Sequence, residues 1–264
     1  MAWLNKDDTF DPDSFHNKVL GIAAELGVHD SGVHHHAMGQ LLFTHWGCIR
    51  ITLAEAICLL PPTRIAWIPP ELPHRAEVTG AVGYRSVYLD TAAIPDLPET
   101  VEVLEASPLL QAVLERIAMA DFSTRWEQGP PANLLAVCLD ELHQARSEPT
   151  VLPLPRDPRL RHLASQASHT LPPSLKLLAD HTGASEKTIS RIMRRETGMS
   201  YQQWRQQWRL IKAIEMLAEQ NSLTTIAAAL DFSSDSAFST FFKSMTGLPP
   251  REYMADSGSR TAQR

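Results

Sequence analysis

Cysteine is scarce in this 264-residue sequence, and its scarcity excludes a disulfide framework as the basis of the fold. The three cysteines are Cys48, Cys58 and Cys138. Their number is odd, and no pair has the C-x-x-C spacing of a redox or zinc motif. This pattern predicts buried thiols in a reducing compartment.

Long apolar runs are also missing. No run reaches the roughly 18 residues that a membrane helix needs, so we expect no membrane partner. The opening residues, MAWLNKDDTFDPDS, are acidic and lack an apolar core, which argues against a signal peptide and favours the cytoplasm. Nor does the sequence show a catalytic triad, a phosphate-binding glycine loop or a carboxylate pair, so we do not expect an enzyme.

Basic residues are few in the first part of the chain. Residues 1–155 carry 9 Lys and Arg against 20 Asp and Glu, a net charge of −11. Residues 156–264 carry 15 against 10, a net charge of +5 within a total of −6. This asymmetry predicts two domains with different partners, of which the basic one faces a polyanion.

The boundary is predicted at SEPTVLPLPRDPRL, residues 147–160, where Pro149, Pro153, Pro155 and Pro158 stand close together. Such proline density resists helix and central strand, so it indicates a stiff, extended linker. We expect an α+β protein. Its predicted parts are a barrel in 1–105, a helix pair in 106–146, the linker in 147–158, an all-α domain in 159–256 and a flexible tail in 257–264.

Two kinds of pattern precede the linker. Residues 38–90 contain short apolar runs separated by turn residues, which predict closely spaced strands of a barrel or sandwich. Residues 107–146 have apolar residues at helical spacing, with Ser107 and Asn133 as N-cap candidates. We interpret them as two antiparallel helices. Their apolar stripes exceed what one partner helix covers, which predicts a homodimer.

A repeat follows the linker. GASEKTISRIMRRETG at 183–198 matches SDSAFSTFFKSMTG at 234–247. Both copies place three apolar residues at spacing 0, 3, 4 and end in glycine. In the first copy these residues are Ile189, Ile192 and Met193 before Gly198. In the second they are Phe238, Phe241 and Phe242 before Gly247. Ala179 and Gly183 suit a tight helical turn, whereas the second copy has Ala227 and Asp231. The chain therefore predicts two helix-turn-helix units.

The outward face of the first repeat is rich in hydrogen-bond donors. With its apolar stripe inside, Lys187, Arg191 and Arg194 point outward beside hydroxyl side chains. Such a helix fits the DNA major groove, where Arg and Lys donate to guanine and the remaining donors hold phosphates. The alternative is an ordinary solvated basic helix. Arg205, Arg209 and Lys212 form a second basic stripe, for phosphate contact or for pairing with Glu215 and Glu219.

Two stretches carry a family resemblance: LLADHTGASEKTISRIMRRETGMSYQQWRQQWRLIKAIEML and IAAALDFSSDSAFSTFFKSMTGLPPREY. They resemble the DNA-binding domain of AraC/XylS-type transcription regulators. The resemblance implies two helix-turn-helix units that enter successive major grooves of an operator, and a contact with RNA polymerase. The candidate DNA-binding residues are Lys187, Thr188, Ser190, Arg191, Arg194, Ser234, Asp235, Ser236, Ser239, Thr240 and Lys243. The second unit, with Lys243 as its one basic residue, is expected to contribute less affinity.

The first domain has its own pattern of histidines. HHHAMGQLLF and IPPELPH resemble the two short motifs of a cupin barrel, with Gln40 at the place of the usual acid. We expect His34, His36, Gln40, Trp67 and His74 to line an effector cavity. Three imidazoles also suit Zn, Fe, Ni or Mn, although Gln40 is a poorer ligand than a carboxylate. The alternatives are a divalent metal held by His34, His36 and His74, or histidines that line a pocket or the core.

The order of barrel, helix pair and helix-turn-helix domain resembles two-domain AraC-family regulators, and the run GQLLF…PPTRIAWIPPELPH resembles the nitroimidazole-resistance-type branch. The resemblance implies a bacterial, nucleoid-associated transcription regulator that responds to a small molecule. Activation and repression both stay open. The competing hypothesis is a metal-dependent cupin enzyme with a DNA-binding tail.

Overall fold

The computed structural model describes residues 3–4, 10–147, 150–166 and 171–255. The chain divides into two compact units. Within the described residues, the first takes in the chain up to Thr52, residues 59–147 and residues 254–255, and the second consists of Leu53–Cys58 and Thr150–Tyr253. None of the described helices is both long enough and apolar enough to span a membrane. Strands dominate the first part and helices the second, so the predicted α+β class is confirmed.

Eleven short strands occur in the described residues. They are β1 (Trp3–Leu4), β2 (Val19–Leu26), β3 (His29–Asp30), β4 (Gly39–Thr44), β5 (Ile49–Leu53), β6 (Ala56–Leu60), β7 (Arg64–Ile68), β8 (His74–Val78), β9 (Val82–Leu89), β10 (Glu102–Glu105) and β11 (Val151–Pro153). One sheet has the order β1-β2-β9-β4-β7-β10, and the other has the order β11-β6-β5-β8-β3. Every run that the sequence marked between 38 and 90 is a strand. β2 gave no such signal because it is buried on both faces and does not alternate.

Two helices, α1 (Pro108–Ala118) and α2 (Gly129–Gln144), cover one face of the six-stranded sheet. Ser107 caps α1 as predicted, because its Oγ accepts from the backbone N–H of Leu110 at 3.0 Å. Asn133 was wrong as a cap. The helix α2 begins four residues earlier, and it tolerates Pro130 and Pro131 because the first helical turn needs no backbone N–H donors.

The contact between α1 and the sheet depends on the absence of a side chain at Gly21. A Cβ at this position would lie 2.1 Å from the carbonyl oxygen of Ile117 and 2.6 Å from Cα of Ala118. Beside it, the buried Arg85 donates from Nε to the Glu115 carboxylate at 2.8 Å. His45 Nε2 lies 2.7 Å from the same carboxylate. The helix is therefore held by both close packing and a charged pair.

The pKa of the Glu115 carboxyl reflects this contact. Burial on its own raises that pKa, but the hydrogen bonds from His45 and Arg85 outweigh it and lower the pKa to about 2. Burial also raises the pKa of the Cys58 and Cys138 thiols to about 12, so both are protonated and unreactive. Cys58 and Cys138 are buried, as the sequence predicted, whereas Cys48 is only half-buried.

The second unit is almost wholly helical. Its helices are α3 (Arg161–Gln166), α4 (Leu175–Thr182), α5 (Glu186–Thr197), α6 (Tyr201–Ala218), α7 (Leu223–Ala229), α8 (Asp235–Thr246) and α9 (Pro250–Ala255). A 3-10 turn at Pro158–Leu160 precedes α3, and residues 167–170 lie outside the described residues.

The proline-rich segment is extended at Val151–Pro153 and forms a 3-10 turn at Pro158–Leu160, and it is not a free tether. Its β11 pairs antiparallel with β6, with Leu152 opposite Ile57. The carbonyl of Pro153 accepts from Trp204 Nε1 at 2.6 Å. Glu196 accepts from the next backbone N–H groups, those of Arg156 and Asp157, at 2.9 and 3.0 Å. The segment from Thr150 onward therefore belongs to the second unit.

Candidate functional site

The first helix-turn-helix has the geometry that its sequence predicts. Ile189, Ile192 and Met193 are buried on the inner face of α5. The turn between α4 and α5 runs through Gly183, which adopts a left-handed conformation with φ of 64°. Ser185 then caps α5, accepting from the backbone N–H of Thr188 at 3.2 Å.

The second helix-turn-helix repeats this arrangement with a different residue at the turn. Asp231 takes the place of Gly183 and adopts φ of 60°, so the departure from glycine does not change the backbone. Its carboxylate lies 3.6 Å from the guanidinium of Arg209, which also sits over the Phe232 ring at 5.0 Å. Of the predicted stripe, Phe238 and Phe242 are fully buried. Phe241 is half-buried and contacts Phe232 instead.

The exposed faces of α5 and α8 differ in charge. Lys187, Arg191 and Arg194 are exposed on α5 and form no ion pair with another described residue. Arg195, the next basic residue, is paired with Glu196 at 2.5 Å. On α8 the exposed basic residue is Lys243, at the far end of the helix. The two helices therefore present unequal positive charge to a polyanion.

Some of the hydroxyl and acidic side chains that were predicted to contact DNA form hydrogen bonds within the protein. Ser234 is the N-cap of α8 and accepts from the backbone N–H of Ala237 at 3.1 Å. Asp235 accepts from the hydroxyl of Thr224 at 2.8 Å, which ties α8 to α7. The remaining predicted positions lie on the outer faces of α5 and α8: Thr188, Ser190 and Ser239 are half-buried, and Ser236 and Thr240 are exposed.

The basic stripe of α6 holds the second unit together. Arg205 donates from Nε to the Pro172 carbonyl at 2.7 Å, and Lys212 donates to Glu215 at 2.7 Å. Arg209 is the partner of Asp231. These internal contacts favour pairing over the alternative of phosphate contact.

A cavity of about 440 Å³ lies inside the first unit. Its apolar wall includes Ile22, Leu42 and Val78, and its polar wall includes His34, His74 and Gln40. These side chains meet because β2, β4 and β9 present alternate residues to one face, with Gln40 opposite Tyr88 and Leu42 opposite Ser86. A cavity of this size and lining suits a small organic molecule.

The three predicted histidines lie close together, but His34 and His74 line this cavity whereas His36, also predicted there, is buried behind them and is not part of its lining. The ring centroids of His34 and His74 are 4.3 Å apart, and those of His36 and His74 are 5.0 Å apart. His34 and His36 do not lie on one continuous strand. An isolated bridge between His34 and His74 brings the rings together instead. Burial lowers the pKa of His74 to about 4, so its imidazole is neutral at pH 7.

Trp67 does not line the cavity, which corrects the sequence prediction. On β7 it stands opposite Leu41 of β4, one residue out of phase with the pair Gln40 and Ile68. Side chains alternate across a strand, so Trp67 points to the opposite face and packs in the core beneath α1 and α2. Its indole N–H donates to the Pro98 carbonyl at 2.7 Å.

Sequence reasoning missed the hydroxyls that surround Gln40. Its amide nitrogen donates to the hydroxyl of Ser86 at 2.8 Å, of Tyr88 at 3.2 Å and of Tyr84 at 3.4 Å. The signal was present as Tyr-x-Ser-x-Tyr at positions 84–88, whose period of two places all three on one strand face. Tyr84 and Tyr88 line the cavity, where the indole had been expected, and Ser86 lies buried behind them.

Comparisons with known proteins identify both parts of the chain. Residues 16–195 match the family profile described as AraC-like ligand binding domain, and residues 178–256 match a helix-turn-helix domain. The chain is 29% identical over 252 residues to the HTH-type transcriptional regulator NimR of Escherichia coli K12, covering 93% of this chain and 91% of NimR. It is 26% identical over 229 residues to the uncharacterized HTH-type transcriptional regulator YobQ of Bacillus subtilis 168, covering 83% of this chain and 87% of YobQ.

The chain is also similar to solved structures. ToxT from Vibrio cholerae has a TM-score of 0.37 at 10% identity and covers 90% of this chain and 98% of ToxT. The DNA-binding domain of AdpA in complex with a target DNA has a TM-score of 0.37 at 26% identity and covers 41% of this chain and 99% of that domain. The curated relatives are regulators rather than enzymes, so the alternative of a cupin enzyme has no support. The chain belongs to the AraC family: it is a DNA-binding transcription regulator with a ligand-binding domain.

Proposed function

We propose that α5 of the first helix-turn-helix supplies most of the operator affinity and that α8 contributes less. The observation that carries this proposal is the contrast in exposed charge, with Lys187, Arg191 and Arg194 on α5 against Lys243 on α8. Each basic side chain that neutralises a phosphate releases counterions and adds affinity, whatever the base sequence. A helix with three exposed cations gains more from this effect than a helix with one.

Arg191→Ala tests this assignment against a matched control, Arg195→Ala. Both remove an arginine from the outer side of α5, but Arg195 is already paired with Glu196. Arg191→Ala should weaken operator binding by about 1–3 kcal/mol and relax specificity at its base pair, whereas Arg195→Ala should have the smaller effect. Gel-shift titrations at fixed salt, on a site recovered by genome-wide mapping, measure both. Equal affinities for wild type and Arg191→Ala would remove Arg191 from the interface.

We propose that the effector binds in the 440 Å³ cavity and is a small, partly aromatic molecule with hydrogen-bonding groups. Tyr84, Tyr88 and Phe10 offer aromatic surface, and His74 and Gln40 offer polar atoms at the same wall. Ala24 also lines this cavity, and Ala24→Phe would occupy part of it. A compound that raises the melting temperature of the wild type should lose this effect in Ala24→Phe, while effector-free operator binding persists. A thermal shift that is unchanged in Ala24→Phe would place the effector elsewhere.

We further propose that the outer face of α2 joins two copies of the chain. Val137 is 38% exposed, and Leu134 lies beside it in a groove lined by Pro130, Pro131 and Trp126, which together form an apolar patch. Val137→Glu should shift the protein from dimer to monomer in light scattering at micromolar concentration. A wild type that is strictly monomeric there would contradict the proposal.

The remaining assignments are proposals on the strength of the family. We assign sensing to residues 1–105, dimerisation to 106–146, the connection to 147–158 and DNA binding to 159–256, and the tail at 257–264 lies outside the described residues. A contact with RNA polymerase at the regulated promoter, and a bacterial cytoplasmic location at the nucleoid, follow from the same role. Transcription in vitro from a mapped promoter, with and without this protein, tests the contact with the polymerase.

A further inference from the structure

The histidine cluster has a feature that pocket lining alone does not explain. In all three residues the ring Nδ1 faces the carbonyl oxygen of a residue two positions away. His34 Nδ1 lies 3.2 Å from Gly32 O, His36 Nδ1 lies 2.6 Å from Met38 O, and His74 Nδ1 lies 2.8 Å from Leu72 O.

These contacts determine which nitrogen carries the proton. A carbonyl oxygen only accepts hydrogen bonds, so each Nδ1 must be the donor. In a neutral imidazole the other nitrogen, Nε2, then has a free lone pair. Three neighbouring rings therefore present three lone pairs. Histidines that ligate metals show the same device, in which the ring N–H that does not face the metal is held by a backbone carbonyl or a carboxylate.

Backbone hydrogen bonds hold all three histidines in place. His34 and His74 exchange backbone hydrogen bonds of 2.9 Å in both directions, and the N–H of Glu71 donates to the His36 carbonyl at 2.9 Å. The His36 and His74 side chains are buried, whereas that of His34 is exposed. One ring nitrogen from each of the three residues lies within 4.8 Å of the others.

A fourth residue, Gln40, contributes an oxygen atom to the same cluster. The Gln40 amide oxygen lies 3.2 Å from His36 Nε2, and its amide nitrogen faces the hydroxyls of Ser86 and Tyr88. An oxygen opposite an imidazole lone pair is repulsive unless a proton or a cation lies between them. The arrangement therefore offers three nitrogen ligands and an amide oxygen around one point.

We propose that His34, His36 and His74 bind one divalent transition-metal ion through their Nε2 atoms at the edge of the effector cavity. Imidazole ligands suit Zn, Cu, Fe and Ni, and a site with three protein ligands keeps a coordination position for another molecule. His34 and His74 also line the cavity, so that position opens toward it. The site does not depend on the identity of the effector, and its test needs the metal alone.

Metal binding requires a small movement of one ring. Tetrahedral ligands at Zn–N distances of about 2.0–2.1 Å are about 3.4 Å apart, which is closer than the 4.8 Å limit of the cluster. The exposed ring of His34 has room to approach the two buried rings. The expected change is therefore a local closure at His34 rather than a rearrangement of the barrel.

The test is a titration of tag-free, chelator-stripped full chain with Zn²⁺ by calorimetry and with Co²⁺ by its visible absorption. The wild type should bind one equivalent with the spectrum of a nitrogen-rich, low-coordinate site. His34→Ala removes an exposed ligand and should weaken Zn²⁺ binding about 100-fold or more. His35→Ala is the matched control. It removes the adjacent exposed histidine, which contacts Glu71 and lies outside the cluster, and should leave the affinity within about threefold.

A second variant separates a lost site from a lost fold. Gln40→Glu replaces the amide oxygen with an anionic ligand and should tighten Zn²⁺ binding by roughly tenfold. No binding to the wild type at micromolar concentration would overturn the proposal. Equal losses in His34→Ala and His35→Ala would also overturn it, because they would indicate adventitious binding by surface imidazoles. Circular dichroism of each variant checks that the barrel is intact.

Discussion

Replacement of Asp231 tests why the second helix-turn-helix works without the glycine of the first. Asp231 adopts φ of 60°, a conformation that costs most L-residues roughly 1–2 kcal/mol, although Asp and Asn adopt it more easily. Three substitutions separate the contributions. Asp231→Asn keeps the tolerance for this backbone and removes the charge, Asp231→Gly removes the steric cost, and Asp231→Ala keeps neither advantage.

The size of each effect follows from the contacts of Asp231. Its carboxylate is 3.6 Å from Arg209, and its side chain is 76% exposed, so the ion pair contributes only about 0.5 kcal/mol. Asp231→Asn should therefore cost about 0.5 kcal/mol. Asp231→Gly should cost a similar amount, because the relief of strain is offset by the greater entropy of the unfolded chain. Asp231→Ala should cost about 1.5–2 kcal/mol, from backbone strain and the lost ion pair together.

Gly183→Ala, at the same turn of the first helix-turn-helix, is the matched comparison. Its φ is 64°, and an added Cβ would meet no atom within 4 Å, so the whole cost is backbone strain of about 1 kcal/mol. Urea unfolding followed by circular dichroism at the helical band measures all four variants. A loss of 1 kcal/mol lowers the melting temperature by about 4–8 °C in a domain of 60–100 residues. If Asp231→Ala is no less stable than Asp231→Asn, backbone strain does not determine the residue at this turn.

Two further predictions concern the attachment of α1 to the sheet. Glu115→Gln should cost about 2–3 kcal/mol at neutral pH, because the wild-type carboxylate is held ionised by its contacts with Arg85 and His45. This contribution to the free energy of unfolding is complete above pH 4.5 and is lost as the pH falls toward 2. The free energy of unfolding, measured with urea across that range, should therefore change less with pH in Glu115→Gln than in the wild type. The same pH dependence in both proteins would contradict this prediction. Gly21→Ala should destabilise by more than about 2 kcal/mol, since its Cβ would overlap Ile117 O, whereas Gly27→Ala, which meets nothing within 4 Å, is the control. Equal melting temperatures for these two variants would rule out the close helix contact.

Local patterns were sufficient for the helix-turn-helix domain. Ile189, Ile192 and Met193 recur at helical spacing, and Gly183 and Gly198 mark the turn and the helix end, because helical contacts and caps join residues only a few positions apart. The outward direction of Lys187 and Arg191 follows from the same periodicity. The six strands between 38 and 90 were visible for a similar reason, since turn residues separate short apolar runs.

Tertiary structure decided the composition of the cavity. The period of two does not say which face of a strand turns inward, and a shift of one residue reverses every side chain. The register of β4 against β7 sends Trp67 to the core, and its register against β9 brings Tyr88 opposite Gln40. The sequence did not predict the buried strand β2 or the pairing of the proline-rich segment with β6, because both depend on partners far away in sequence. The sequence alone thus determined the family, the fold class and the exposed basic face of α5, whose determinants are local. Only long-range strand pairing decided which side chains meet His34, His36 and His74 around the cavity.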